Sequence, residues 1–236
     1  MEDMAHGCGT YRRVENSSPY LLEAQDKGCG LWLMLDPLCH PQALAQLWTD
    51  EPDAEKTDLF WETPLEANIE ASPRLVPITP ESPILRWIDD TAPLAWGILL
   101  ASDAPFHEIL AHLRSLLLVK SDGGDVVFRF WGGRVLTRIC RSLSKETLVI
   151  LGPMRRVLTL NDEKEWVCVD RDTDFMAAPP QPRPVLPSPW YCFTHSHERL
   201  FHDKCPEIVA NNVTEALLRA KMEHGLVLPR HRAGRT

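Results

Sequence analysis

With 236 residues, 44% of them hydrophobic and 25% charged, the chain can bury a core of its own, which excludes wholesale disorder. A formal net charge of -8 excludes a general nucleic-acid binder, whose surface has to neutralise phosphates. No apolar run approaches a membrane span, the first ten residues hold no basic stretch leading into an apolar one, and the seven cysteines are odd in number and scattered. Reduced thiols in a cytoplasmic protein are the expectation.

In chain order, Gly28-Cys29-Gly30 reads as a turn leading into a buried strand over Leu31 to Leu35, closed by Asp36-Pro37. Pro41 then opens a helix through Ala43, Leu44, Leu47 and Trp48, where its missing N–H costs nothing. From Asp50 to Glu70 eight acids face one base, Lys56, in a loop-like stretch anchored by Leu59, Phe60 and Trp61. Arg74 to Ile78 reads as a strand, placed at an edge by Pro77, Pro80 and Pro83, and a short helix follows over Ile84 to Ile88.

Leu94 to Leu100 predicts the next strand, with Ser102 and Asp103 as capping oxygens for a helix whose apolar face is Phe106, Ile109, Leu110, Leu113, Leu116 and Leu117. Ser121-Asp122-Gly123-Gly124 is turn chemistry. Val126 to Trp131 alternates, setting Val126, Phe128 and Phe130 on one face and Val127, Arg129 and Trp131 on the other. Arg129 must therefore reach water or a carboxylate. Gly132-Gly133 ends that strand, and a second amphipathic helix follows, with Val135, Leu136, Ile139, Cys140 and Leu143 inward and Arg134, Arg138 and Arg141 outward. Thr147 to Leu151 is apolar and ends in a turn at Gly152-Pro153, and Val157 to Leu160 and Trp166 to Val169 read as short strands.

Six prolines between Pro179 and Pro189 predict an extended linker, and the stripe Ile208, Val209, Val213, Ala216, Leu217 and Ala220 predicts a helix beyond it. The expected organisation is an α/β domain at 1–178, a proline-rich linker at 179–189 and a small helical lobe with a basic tail at 190–236. The fold class is α/β, with a short mixed sheet and amphipathic helices.

For chemistry, Cys192, His195, His197, His202 and Cys205 bring together imidazole and thiolate, the ligand types of zinc. Their spacing follows no usual zinc pattern, and a helix of about 3.6 residues per turn would turn His197 away from His195 and His202. Cys39-His40 is poor geometry for a nucleophile and its base, since neighbouring side chains diverge. The chain has no GxSxG, no GxxxxGK[ST] and no GxGxxG. A non-catalytic protein is expected. Trp61, Trp87, Trp131 and Trp190 are flanked by charge or proline, and any that escapes the core would anchor a protein partner.

The segments LEANIEASPRLVPI (65–78), AWGILLAS, HLRSLLLV, SDGG, VVFRF, RVL and LGP, read together, resemble the adaptor-chaperones of bacterial type VI secretion. The resemblance runs from about Leu31 to Leu160. It implies a chaperone that binds one secreted toxic effector, helps load it onto the VgrG spike, needs no cofactor and stays in the producing cell. It implies that Arg114, Arg129, Phe130 and Arg134 occupy signature positions. Where the family pattern has an aromatic residue followed by Asp-Pro-Arg, this chain has Trp131-Gly132-Gly133-Arg134, which suggests a more pliant turn. The residues expected to contact the effector are Arg129, Trp131, Phe130 and Arg134, beside an apolar groove. Alternatives are a metal-dependent enzyme using Cys192, His195, His202 and Cys205, and an immunity protein that neutralises a toxin.

Overall fold

The computed structural model describes residues 10–91, 96–121, 124–142, 144–171, 189–193 and 197. In order they form β1 (Thr10–Val14), α1 (Ser18–Asp26), β2 (Gly30–Leu35), α2 (Pro41–Asp50), β3 (Thr57–Asp58), a 3-10 helix (Glu66–Ala71), β4 (Arg74–Pro77), α3 (Pro83–Thr91) and β5 (Gly97–Ser102). Then come α4 (Phe106–Ser115), β6 (Leu118–Ser121), β7 (Gly124–Val127), α5 (Gly133–Ser142), α6 (Ser144–Leu151), β8 (Arg156–Leu160) and β9 (Trp166–Asp170). The linker and the helical stripe expected after it lie outside the described residues, except Pro189.

Seven strands form one sheet in the order β1-β9-β8-β5-β2-β4-β3, and β6 pairs with β7 in a separate hairpin. The α/β class holds, but the sheet is antiparallel at each of its pairings and not mixed. The reason is an insertion. β4 and β5 run parallel to each other across α3, and β2 lies between them, antiparallel to both. The sequence pattern of alternating strands and helices does not reveal that insertion.

Both faces of the sheet are covered, which explains the near-continuous apolar runs in β2 and β5. Leu31, Leu33 and Leu35 of β2 point to the side packed by Leu21 and Ala24 of α1, Ala43 and Leu47 of α2, and Ile84, Leu85 and Ile88 of α3. Trp32 and Met34 point the other way, to Ile109 and Leu113 of α4 and Val135, Leu136 and Ile139 of α5. Pro19, Pro41 and Pro83 each stand in the first turn of a helix, where a missing N–H leaves no bond unmade. Gly97 has φ +147, and a Cβ there would lie 1.9 Å from the Met34 carbonyl oxygen, so only glycine lets β5 approach β2 at this point.

Several boundaries differ from the sequence reading. β4 is not the edge: the two-residue β3 pairs with Arg74 and Leu75, leaving the rest of β4, with Pro77, unpaired on that side. α4 ends at Ser115, and Leu116 and Leu117 are buried beyond it as the chain turns into β6. Ser102 and Asp103 do not cap α4. Ser102 Oγ donates to the Pro153 carbonyl at 2.8 Å and Asp103 accepts two bonds from Arg155, so the end of β5 is tied to the turn after α6. β7 stops at Val127, not Trp131, because Gly132 N–H bonds back to the Arg129 carbonyl at 3.0 Å in a turn that starts α5. Phe128, Phe130, Val127 and Trp131 all join one core.

Trp190 to Phe193 returns to the hairpin. Lys120 N–H donates to the Tyr191 carbonyl at 2.8 Å and Phe193 N–H to the Lys120 carbonyl at 2.7 Å, and Tyr191 and Phe193 enter the α4–α5 core. The sequence places these residues at the start of the C-terminal lobe, and the structure packs Tyr191 and Phe193 into the α/β core.

Candidate functional site

The chain leaves β2 at Leu35 and turns on Asp36. One carboxylate oxygen, Oδ1, accepts the backbone N–H groups of Leu38 at 3.0 Å and Cys39 at 3.1 Å, a side-chain turn typical of Asp. The other, Oδ2, pairs with Arg129 Nη2 and accepts Trp131 Nε1–H at 3.0 Å. Arg129 Nη2 also donates to Cys39 Sγ at 2.9 Å, while Nη1 is buried with no hydrogen-bond partner among the described residues. Burial works against the guanidinium charge, but Asp36 and Cys39 together outweigh it, so the Arg129 pKa is raised and the group stays charged. The carboxylate that the alternation of residues demanded for Arg129 is thus Asp36, which the sequence showed only as a turn residue.

Burial, then Asp36, pushes the Cys39 thiol up to about 12. A thiol so placed stays protonated and is no nucleophile. Its neighbour His40 stacks edge-on against Trp87, with ring centroids 5.5 Å apart, as the divergence of adjacent side chains requires.

This buried network supports an exposed platform. Trp131 meets Phe60 edge-on at 5.9 Å and Phe130 at 5.4 Å. Phe60 belongs to the excursion of residues 57–73 that carries β3 and the 3-10 helix, and Leu59, Phe60, Leu65 and Ala71 are its buried anchors. Two arginines pin it. Arg114 on α4 donates to the Leu59 carbonyl at 3.3 Å and the Asp58 carbonyl at 3.4 Å, and Arg74 pairs with Asp58 and donates to the Ile69 and Ser72 carbonyls. Ser72 Oγ accepts Phe60 N–H at 2.9 Å and Thr63 Oγ1 donates to the Phe60 carbonyl at 2.6 Å. Trp61, one residue after buried Phe60, is 53% exposed.

The expected contact residues divide. Arg129, Phe130 and Trp131 are buried, and their placement makes them the foundation of the platform. Arg114 is a clamp beneath it. Arg134 lies nearer the surface, donating Nε–H to Asp162 Oδ1 at 2.7 Å, beside Arg138 on the same carboxylate. Burial raises the Asp162 pKa, but the bonds from Arg138 and Arg134 outweigh it and hold the group below the usual carboxylate range. Gly133 meets a packing need. A Cβ on Gly133 would lie 2.1 Å from Thr159 Oγ1 and 2.8 Å from the Leu160 carbonyl oxygen, so the glycine lets the start of α5 press against β8.

Of the Cys/His cluster, His195, His202 and Cys205 lie outside the described residues. Cys192 is exposed. His197 is buried, its ring stacked on Phe193 at 5.0 Å with Nε2 at 2.7 Å from the Tyr191 hydroxyl. Among the described residues no group of three His, Cys, Asp or Glu could hold a metal ion.

The model of the domain of unknown function DUF4123 matches residues 31–148, half of the chain. The chain belongs to the DUF4123 family. That family is known for effector-loading adaptors of type VI secretion. The DUF4123 match takes in Asp36, the platform, Arg114, Arg129, Trp131 and Arg134, and leaves out β1, α1, β8 and β9. No curated protein and no solved structure matches the chain. Among the described residues no helix is long and apolar enough to cross a membrane.

Sequence reasoning missed one residue here and left another among alternatives. Asp36 had a signal: a lone Arg129 in an apolar run and a carboxylate at the end of a buried strand, with nothing in one dimension to join them. Trp61 was grouped with three other tryptophans, and only packing separates it from buried Trp131 and half-buried Trp87 and Trp190.

Proposed function

We propose that this protein is a non-catalytic cytoplasmic adaptor that holds one toxic effector of type VI secretion and helps deliver it to the VgrG spike. The observation that carries this reading is the DUF4123 match over 31–148, which coincides with a buried charge network and the platform built on it. An adaptor needs a surface held in its binding shape before the partner arrives, since ordering a loop on binding costs affinity. The excursion at 57–73, clamped by Arg74 and Arg114, has that character. Arg129 and Trp131 act from beneath, by keeping Phe60 in place.

The test is genetic and biochemical together. Deleting the coding sequence in the producing bacterium is expected to abolish export of one effector while the spike is still secreted, and the purified chain is expected to form a stoichiometric complex with that effector. Normal export of every effector would overturn the reading. Growth arrest of the deletion strain, relieved by removing the toxin, would assign an immunity role instead.

A further inference from the structure

Trp48 and Trp61 are the two tryptophans most open to solvent, at 50% and 53% exposure. They differ in what covers the ring. Lys56 Nζ sits 3.8 Å from the centroid of Trp48, so that indole face already holds a cation of its own chain. Among the described residues no Lys or Arg lies over the Trp61 ring and no aromatic ring packs against it. Leaving a large indole in water forgoes about 1.5–3 kcal/mol of burial, although the adjacent Phe60 is fully buried.

The chain segment around Trp61 carries one sign of charge. Between Lys56 and Arg74 the chain holds Asp58, Glu62, Glu66 and Glu70 and no basic residue. Asp58 pairs with Arg74, and Glu62, Glu66 and Glu70 are exposed, interleaved with exposed Pro64 and Ala67. Glu62 is 3.8 Å from Arg114, and Glu66 Oε2 accepts the Glu62 backbone N–H at 3.1 Å, so Glu62 and Glu66 are tied to the same clamped excursion.

We infer that the Trp61 platform docks a cationic segment of the client protein, with a Lys or Arg side chain laid over the Trp61 indole as Lys56 lies over Trp48. Glu62, Glu66 and Glu70 attract the flanking positive charges of that segment and speed its arrival. An exposed tryptophan flanked along the chain by charge complementary to the partner is the kind of anchor that dominates protein interfaces. The inference rests on the adaptor reading for the identity of the client, but the surface chemistry can be tested without it.

The experiment uses the full chain with ¹⁵N-labelled tryptophan and two synthetic 14-residue peptides, one of alternating Lys and Leu and one of alternating Glu and Leu. The Trp61 indole signal, assigned with Trp61→Phe, is expected to shift with the cationic peptide alone. Trp61→Ala is expected to weaken binding about tenfold, the cation–π and anchor contribution at a partly desolvated site. The triple change Glu62→Lys, Glu66→Lys, Glu70→Lys is expected to abolish binding, and Trp48→Ala to leave it within twofold, with melting temperatures unchanged in the Trp61 and Trp48 variants. Equal binding of both peptides, an unmoved Trp61 signal, or wild-type binding by Trp61→Ala would each overturn the inference. A Trp61 signal that shifts with protein concentration alone would overturn it in favour of a contact between two copies of this chain. In a parallel arm the co-expressed effector separates the two claims. An effector bound equally by wild type and Trp61→Ala overturns the surface while the adaptor reading stands, and a chain that binds the cationic peptide through Trp61 but no effector overturns only that reading.

Discussion

Two buried arginines hold this protein together in different ways. Arg129, inside the DUF4123 match, relies on a single carboxylate, Asp36, and keeps one nitrogen without a partner among the described residues. Arg156, outside the match, is bound on every side that its surroundings offer. Asp170 takes two of its bonds, the Tyr20 carbonyl accepts a third at 2.7 Å and Glu23 a fourth at 2.8 Å. Burial opposes the Arg156 charge, and these bonds more than offset it, so its pKa too is raised. Arg156 ties α1 to β8 and β9 and closes one end of the sheet. Arg129 joins the end of β2 to the turn after β7 and, through Trp131, bears on the exposed loop. A saturated site belongs where rigidity is the whole task. The thinner one lies under the surface assigned here to partner binding, and its loss should be felt there first.

The largest expected effect breaks the Asp36 site. Asp36→Ala leaves Arg129 buried and charged without a counter-ion and orphans two backbone N–H groups, a loss of about 3–5 kcal/mol by urea denaturation. Replacing both partners, Asp36→Leu with Arg129→Met, should recover only part of that, since the N–H groups of Leu38 and Cys39 remain unserved; full recovery would mean that the pair alone matters. Next, Trp131→Phe keeps a ring against Phe60 but removes the donor to Asp36, a cost of about 1.5–3 kcal/mol for a bond to a charged group. Smaller still, Arg114→Met should cost about 1 kcal/mol globally while raising amide hydrogen exchange at residues 58–62, a local loosening that exchange mass spectrometry would detect. An unchanged exchange pattern would remove the clamp role.

The smallest effect is a pH dependence on the Arg156 side. The bond from Lys27, opposed by burial and aided by Arg156, lowers the Glu23 pKa from 4.5 to about 2. A depressed carboxylate stabilises the fold above its unfolded value, and that contribution fades as the pH falls from about 4.5 towards 2. Glu23→Gln should therefore flatten the acid limb of a stability–pH curve in that window, by an amount that solvent screening keeps small because Glu23 is 43% exposed. No change in slope would show that Arg156 is satisfied without it.

How far the sequence could be read depends on the range of the forces involved. Apolar periodicity places β2, α2, α3, β5, α4, α5, β8 and β9 close to where they lie, because each exposes its burial pattern within a few turns or pleats. It cannot set β2 between β4 and β5, since both faces of β2 are apolar and no residue names a neighbour. β1 and α1 carry too weak an apolar stripe to stand out; β1 gains its place by pairing with β9, and α1 by packing Leu21 and Ala24 against β2. The site shows the same division. The demand of Arg129 for a carboxylate follows from burial chemistry alone, whereas its answer lies 93 residues away.

By itself the sequence determined the α/β class, most of the elements, the family likeness and the presence of one charged group in an apolar run, all properties of local pattern and of side-chain solvation. Tertiary structure alone decided that the sheet is antiparallel, that Gly133 makes a close contact with β8, and that Trp131 is buried while Trp61 is presented to solvent. Each of those depends on which segments meet across the core, and contact between residues far apart in the chain leaves no trace in the local order of either.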